Sequence, residues 1–258
     1  MEQEFQLTNQ YPSLKGKKVF ITGGGTGIGS YLSEHFCAQG SLVSFIGVSK
    51  EVGTAHAKKL SSTYNTYCSF APCDVRNIEQ LQSSLEVATK LMGGLDIIIN
   101  NSGNDERHTI EEVTPDYWDN CLNINLRPHF FTMQKALSLF PEQGGVIINM
   151  GSIGWMRGRT GIVCYTTSKG AIHALTRTMA RELGVKNIRV NSVVPGAIVT
   201  PKQKALWLTP ELDKMFIDLQ CLKFRLTPND VAALTLFLTS DDARAIAGQS
   251  YVVDGGIV

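Results

Sequence analysis

Val19-Phe20-Ile21-Thr22-Gly23-Gly24-Gly25-Thr26-Gly27-Ile28-Gly29-Ser30-Tyr31-Leu32 is the stretch on which the fold turns. An apolar run of strand length (19–21) passes into a Gly-rich turn. Tyr31, Leu32 and Phe36 then recur at helical spacing. Glycines let a backbone turn tightly and come close to a ligand. The first N–H groups of a helix lack internal partners and carry the positive end of its dipole, so a strand–turn–helix of this kind suits a pyrophosphate. The strict G-x-G-x-x-G spacing fails because position 28 is Ile; the pattern is T-G-x-x-x-G-x-G. Gly23, Gly25, Thr26, Gly27, Ile28 and Gly29 are the candidate phosphate-side contacts.

Further strand-length apolar runs follow at 42–46, 67–71, 95–99, 146–150, 188–194 and 251–253. Between most of them lie helix-length segments, for example Ile78, Leu81, Leu85 and Ala88, or Ile172, Leu175, Met179 and Leu183. Strands buried on both faces read as continuous apolar runs, and alternation with helices implies right-handed crossovers. The expected fold is therefore α/β: a single Rossmann-type doubly wound domain with a parallel seven-stranded sheet and helices on both faces. Gly40 and Gly184 mark helix stops. Residues 1–14 read as an N-terminal arm. Residues 195 to about 227, punctuated by Pro195, Pro201 and Pro210 with a short helical patch near 212–219, read as a substrate lid.

The 258 residues fit one domain with one large core. With 24 basic against 23 acidic residues, no global field selects nucleic acid or an anionic membrane. No apolar run reaches membrane-spanning length, and the first residues lack a leader pattern. Six cysteines without a C-x-x-C pair, and five histidines without metal spacing, point to free thiols in a reduced, cytoplasmic setting and to no metal.

Several later motifs fall in a telling order. Asp74-Val75 follows the third strand. Asn100-Asn101-Ser102-Gly103 follows the fourth, and Asn125 lies in Asn123-Ile124-Asn125-Leu126. Ser152 ends Asn149-Met150-Gly151-Ser152, Tyr165 and Lys169 stand in Tyr165-Thr166-Thr167-Ser168-Lys169, and Pro195-Gly196 follows the sixth strand. Together with the Gly-rich loop, this set resembles the short-chain dehydrogenases/reductases over essentially the whole chain. The resemblance implies NAD or NADP as cofactor. It implies that Asp74 contacts adenine, and that Val75, Asn101, Ser102, Gly103, Pro195, Gly196 and Ile198 also border the cofactor. It further implies that Asn125 holds a water linking Lys169 to solvent. A homotetramer is implied too, built through helices around 118–140 and 165–183 and through the last strand.

The chemistry of the residues agrees with that role. A phenol with a pKa near ~10 is a poor base at neutral pH, and a nearby cation lowers it. Tyr165 and Lys169 are four apart on an expected helix and share a face. Tyr165 is the candidate general base, Ser152 the group that polarises the substrate oxygen, and Lys169 the cation that depresses the phenol and reaches a ribose.

The acidic residue that usually selects NAD at the end of the second strand is missing; Gly47 stands there, followed by Val48. Ser49 and Lys50 are close enough to approach a 2′-phosphate, or else cap the next helix. For the substrate, the stretches 11–17, 103–108, 152–155 and 220–223 resemble the bacterial D-xylose (aldose) 1-dehydrogenases, which make a lactone. Gly47 departs from their acidic residue. Asn104, Asp105, Arg107 and His108 follow the fourth strand on the ligand side of such sheets. Trp155 could stack on a sugar face, and Trp207 lies in the lid. A 3-oxoacyl thioester or keto-deoxy sugar acid reductase is the alternative on the same scaffold, with Lys202 and Lys204 as the hint of a basic rim. A nucleotide-binding regulatory protein is the non-enzyme alternative, and an intact Ser–Tyr–Lys set argues against it.

Overall fold

In the computed structural model, which describes residues 9–200, 203 and 209–258, all seven apolar runs become strands of one parallel sheet. They are β1 (Lys18–Thr22), β2 (Leu42–Gly47), β3 (Cys68–Pro72), β4 (Ile97–Asn100), β5 (Gly145–Met150), β6 (Ile188–Pro195) and β7 (Ser250–Val253). Their order is β3-β2-β1-β4-β5-β6-β7. The chain therefore winds one way from β1 and then the other, and the switch point lies between β1 and β4. Thr22 pairs with Ile46 and with Asn100, and Asn100 pairs with Asn149, so the carboxyl ends finish nearly level. Ligands of open α/β sheets bind outside these ends, at such a switch.

Alternate strand residues face opposite sides of the sheet. Val19 and Ile21 join one core with Leu32 and Phe36 of α1 (Gly27–Ala38) and Leu236 of α8 (Pro228–Thr239). Phe20 enters the other core. There it meets Leu81 and Leu85 of α3 (Ile78–Met92), Met133 of α5 (Arg127–Ala136) and Met179 of α6 (Val163–Gly184). Further α-helices among the described residues are α2 (Lys50–Tyr64), α4 (Pro115–Asn125) and α7 (Pro210–Leu219).

One local reading needs correction. The helix expected around 118–140 is two helices, α4 and α5, broken at Leu126 (φ −128°, ψ −56°). Pro128 has no N–H to continue a helix and is favoured in the first turn of a new one. The helices do stop at the two expected glycines: Gly40 adopts a left-handed φ of +76° just beyond α1, and Gly184 is the last helical residue of α6, with a left-handed turn following at Asn187 (φ 56°). Within the arm, Leu14 is fully buried in the core, and Ser41 donates a hydrogen bond to its carbonyl at 2.7 Å. No described helix is long and apolar enough to cross a membrane, and the described residues hold no cluster of His, Cys, Asp and Glu suited to a metal.

Candidate active site

A cleft of about 1140 Å³ runs across the carboxyl ends of the strands. Its floor at the switch point is the Gly-rich loop. Gly27, at φ +55°, has open space where a Cβ would project, so the loop leaves room for a diphosphate directly above α1. Behind it the packing is tight: a Cβ on Gly29 would lie 2.0 Å from the Gly23 carbonyl oxygen and 2.6 Å from Asn101 Nδ2. Asn101 fastens this loop to β4, its Nδ2 donating to the carbonyls of Thr22 (3.0 Å) and Gly23 (3.1 Å). The Thr22 hydroxyl accepts from the amides of Asn101 (2.9 Å) and Ser102 (3.0 Å). The residues present thus fit a dinucleotide, with an open cradle in front and a rigid brace behind.

The sequence-derived set maps onto this cleft with defined exceptions. Gly23, Gly25, Thr26, Gly27, Ile28, Gly47, Ser49, Asp74, Val75, Asn101, Ser102, Gly103, Pro195, Gly196 and Ile198 all line it, as do Asn104, Asp105, Ser152, Tyr165 and Lys169. Gly29 lies behind the loop. Lys50 is exposed and does not line the cleft; the first turn of α2 carries it away, while Ser49 is the N-cap position but makes no side-chain cap bond. The Asp74 carboxylate is gripped by Arg76, with Nε at 3.0 and 2.9 Å from its two oxygens, and this bonding holds its pKa below the usual range. Trp155 also leaves the cleft. Its ring covers Gly170 of α6 and meets His173 at 5.6 Å between centroids, so it packs on the helix instead of presenting a stacking face. His108 is buried edge-on against Tyr117 at 5.1 Å, and Arg107 is exposed outside the cleft lining. Trp207, Lys202 and Lys204 lie outside the described residues.

Tyr165, Lys169 and Ser152 converge at the deep end. The four-residue spacing on α6 puts the Lys169 ammonium 5.6 Å from the Tyr165 ring centroid, and Nζ donates to the Met150 carbonyl at 2.8 Å. Burial pushes the Tyr165 phenol up to about 12, and the nearby Asp105 adds to the rise; hydrogen bonding from Ser152 and the Arg159 charge oppose it. Burial brings Lys169 down to about 8. The expected depression of the phenol by Lys169 is therefore not the governing effect here. Desolvation outweighs it, and the lysine is directed at a backbone carbonyl.

Asn125 does something sequence reasoning did not foresee. Its Oδ1 accepts from the Asn104 amide at 2.8 Å, and its Nδ2 donates to the carbonyls of Asn104 and Cys121, both at 3.0 Å. Its side chain is committed to clamping the loop after β4, which makes it a positioning residue for Asn104 and Asp105. Beneath the site, Asn149 Oδ1 accepts from Asn100 Nδ2 (2.9 Å) and Asn149 Nδ2 donates to Thr176 Oγ1 (3.0 Å), tying β4, β5 and α6 together in the dry interior. The reading also missed Phe70, Val52 and Arg76 at one end of the cleft, and Arg157, Arg159, Gln203 and Phe216 at the other. The arginines had a usable signal: a loop spanning the short interval from Ser152 to Tyr165 has to rim whatever those two residues face.

A nucleotide cradle at the switch point, opening onto a phenol, a hydroxyl and an ammonium, defines a dinucleotide-dependent oxidoreductase of the doubly wound class. Residues 23–258 match the family model described as enoyl-(acyl carrier protein) reductase. The chain is 42% identical to D-xylose 1-dehydrogenase of Caulobacter vibrioides (strain NA1000 / CB15N), over 95% of this chain and 97% of that protein. It is 37% identical to a probable galactose dehydrogenase of Rhizobium meliloti (strain 1021), over 97% and 98%. Among solved structures, a blue fluorescent protein from a metagenomic library, in complex with NADPH, superposes with a TM-score of 0.88 at 33% identity, covering 95% of this chain and 99% of that one. The chain belongs to the short-chain dehydrogenase/reductase family, and it is an NAD(P)-dependent oxidoreductase acting on CH–OH groups of a small molecule.

Proposed function

We propose that this enzyme oxidises a polyhydroxylated substrate, a small sugar, at a carbinol carbon. The observation that carries the reading is the meeting of the Ser152 and Tyr165 hydroxyls beside Lys169 in a cleft that the short polar residues Asn104 and Asp105 also line. The names of the two relatives, dehydrogenases of xylose and galactose, support the same class.

When bound, the nicotinamide dinucleotide supplies the hydride acceptor. The chain supplies the rest. The amides at the start of α1 hold the diphosphate. Ser152 Oγ donates to the substrate oxygen and fixes it against the phenol. Tyr165 takes the hydroxyl proton as the carbinol carbon loses its hydride, and returns it in the reverse direction. Lys169, anchored on Met150, keeps a positive charge near the phenolate and offers its other N–H groups to the ribose. Residues 195–227, with Phe216 of α7 on the cleft wall, act as the substrate lid of a single domain.

The test measures reduction of NAD+ and of NADP+ against pentoses, hexoses and 6-deoxy sugars, with an acetoacetyl thioester run in the reducing direction. Turnover of sugars is expected; thioester reduction with no sugar oxidised would overturn the sugar reading.

Cofactor choice should answer to position 47. A Cβ on Gly47 meets only Phe70, at 3.8 Å, so a side chain fits. Gly47→Asp should place a carboxylate against the 2′ position and raise the NADP+ KM by roughly tenfold or more, with a far smaller effect on NAD+. Equal effects on both cofactors would show that β2 does not end beside the 2′-hydroxyl.

A further inference from the structure

The loop from β5 to α6 carries a charge that the hydride chemistry leaves unused. It folds back on itself: the Arg157 amide donates to Ile153 and the Arg159 amide to Gly154, both at 3.0 Å, with left-handed glycines at 158 (φ +58°) and 161 (φ +75°) bracketing Arg159. The His108 amide donates to the Gly161 carbonyl at 3.1 Å, which joins this loop to the one after β4. These bonds hold Arg159 at the substrate end of the cleft, where it is half-buried.

Among the described residues no hydrogen bond or ion pair holds its guanidinium, and Asp105 reaches it only as a nearby charge. The other half-buried arginines, Arg189 and Arg225, have partners, and so does the exposed Arg76. Arg189 donates to the carbonyls of Leu238, Ile246 and Ser240, Arg225 pairs with Asp213 at 2.9 Å, and Arg76 grips Asp74. Partial burial, together with the neighbouring charges of Arg107 and Arg157, disfavours the cation at Arg159, and Asp105 only partly offsets this. A desolvated guanidinium without a partner is costly unless a ligand completes it. Arg159 and Tyr165 line the same cleft, so a ligand held by Arg159 shares the space that the reacting oxygen faces.

We propose that Arg159 is a specificity-determining residue that binds a carboxylate on the substrate, so that the preferred substrates are sugar acids and not neutral sugars. This rests on the reading of a polyhydroxylated substrate and narrows it. The planar guanidinium matches a carboxylate two-pronged. Asp105 and Glu106 line the same cleft, and their negative charge disfavours a doubly charged phosphate more than a singly charged carboxylate. Arg157 adds positive potential at the entrance.

The experiment compares kcat/KM for neutral aldoses with that for hexuronates and aldonates, in wild type and in Arg159→Gln and Arg159→Lys, with dinucleotide affinity as a check on folding. Arg159 also touches Tyr165 electrostatically, so the readout is the ratio of acid to neutral kcat/KM, in which a general effect on the base cancels. Wild type should favour the acids. The ratio should drop roughly tenfold to hundredfold in Arg159→Gln, mainly through KM, and less in Arg159→Lys. A wild type that prefers neutral sugars, or a ratio unmoved by either substitution, overturns this inference while the sugar reading stands. Oxidation of neither class overturns the sugar reading and this inference with it.

Discussion

Tyr165→Phe should reduce kcat by roughly a hundredfold to ten-thousandfold and leave dinucleotide affinity within about twofold of wild type. The substitution deletes one oxygen from a ring that stays packed on α6, so the cradle formed by the Gly-rich loop is untouched. The same group sets a direction for pH. Burial lifts the phenol to about 12, so its proton-accepting form is scarce at neutral pH. Oxidation should therefore accelerate as pH rises through the alkaline range. Reduction uses the protonated form and should hold level over that range. A Tyr165→Phe enzyme with near-normal turnover, or one whose oxidation rate keeps the wild-type pH slope, would remove Tyr165 from the proton transfer.

Gly29→Ala should be severely damaging to the nucleotide cradle. Its Cβ would stand 2.0 Å from the Gly23 carbonyl and 2.6 Å from Asn101 Nδ2. One neighbour is backbone and the other is the brace that ties the loop to β4, so neither yields without moving the phosphate cradle. Overpacking of this kind costs about 1–3 kcal/mol or more. The expected result is a melting temperature lower by several degrees and dinucleotide binding weakened more than tenfold, measured by thermal denaturation and by titration calorimetry. Gly184→Ala is the matched control: it is helical, nothing stands within 4 Å of its would-be Cβ, and it should be neutral or slightly stabilising. Wild-type nucleotide affinity in Gly29→Ala would mean the diphosphate is bound elsewhere.

The two outcomes draw on features of different legibility. The sheet was readable because its strands are buried on both faces, so Val19 to Ile21 or Ile97 to Ile99 announce themselves as unbroken apolar runs whatever the tertiary context. The cradle and the Ser–Tyr–Lys group were readable because each lies at a fixed offset from a strand end or along a helix. What stayed hidden depends on side-chain direction. Trp155 is next to the site in sequence, yet the loop turns its ring onto Gly170. Arg159 drew no reading of its own, because only the fold shows that no described residue pairs with its guanidinium. The break between α4 and α5 was written in Pro128 but masked by the apolar spacing that runs across it. The titration balance at Tyr165 could not be read either, since burial competes with charge and sequence reveals only the charge.

The level strand ends have a consequence for how this scaffold can be respecified. Each strand delivers its group at one height, and the sheet's register is held by pairing such as Thr22 with Asn100 and Asn100 with Asn149. The segments beyond that height lie outside the ladder. The loops after β1, β2 and β3 touch only the nucleotide half of the cleft. Those after β4, β5 and β6 also frame the other half. A change in the length or charge of the β5–α6 turn therefore leaves the nucleotide grip and the sheet's pairing intact. The molecule is modular along the switch line: one side is a fixed grip, and the other is an exchangeable tool holder whose selectivity can drift without refolding the frame.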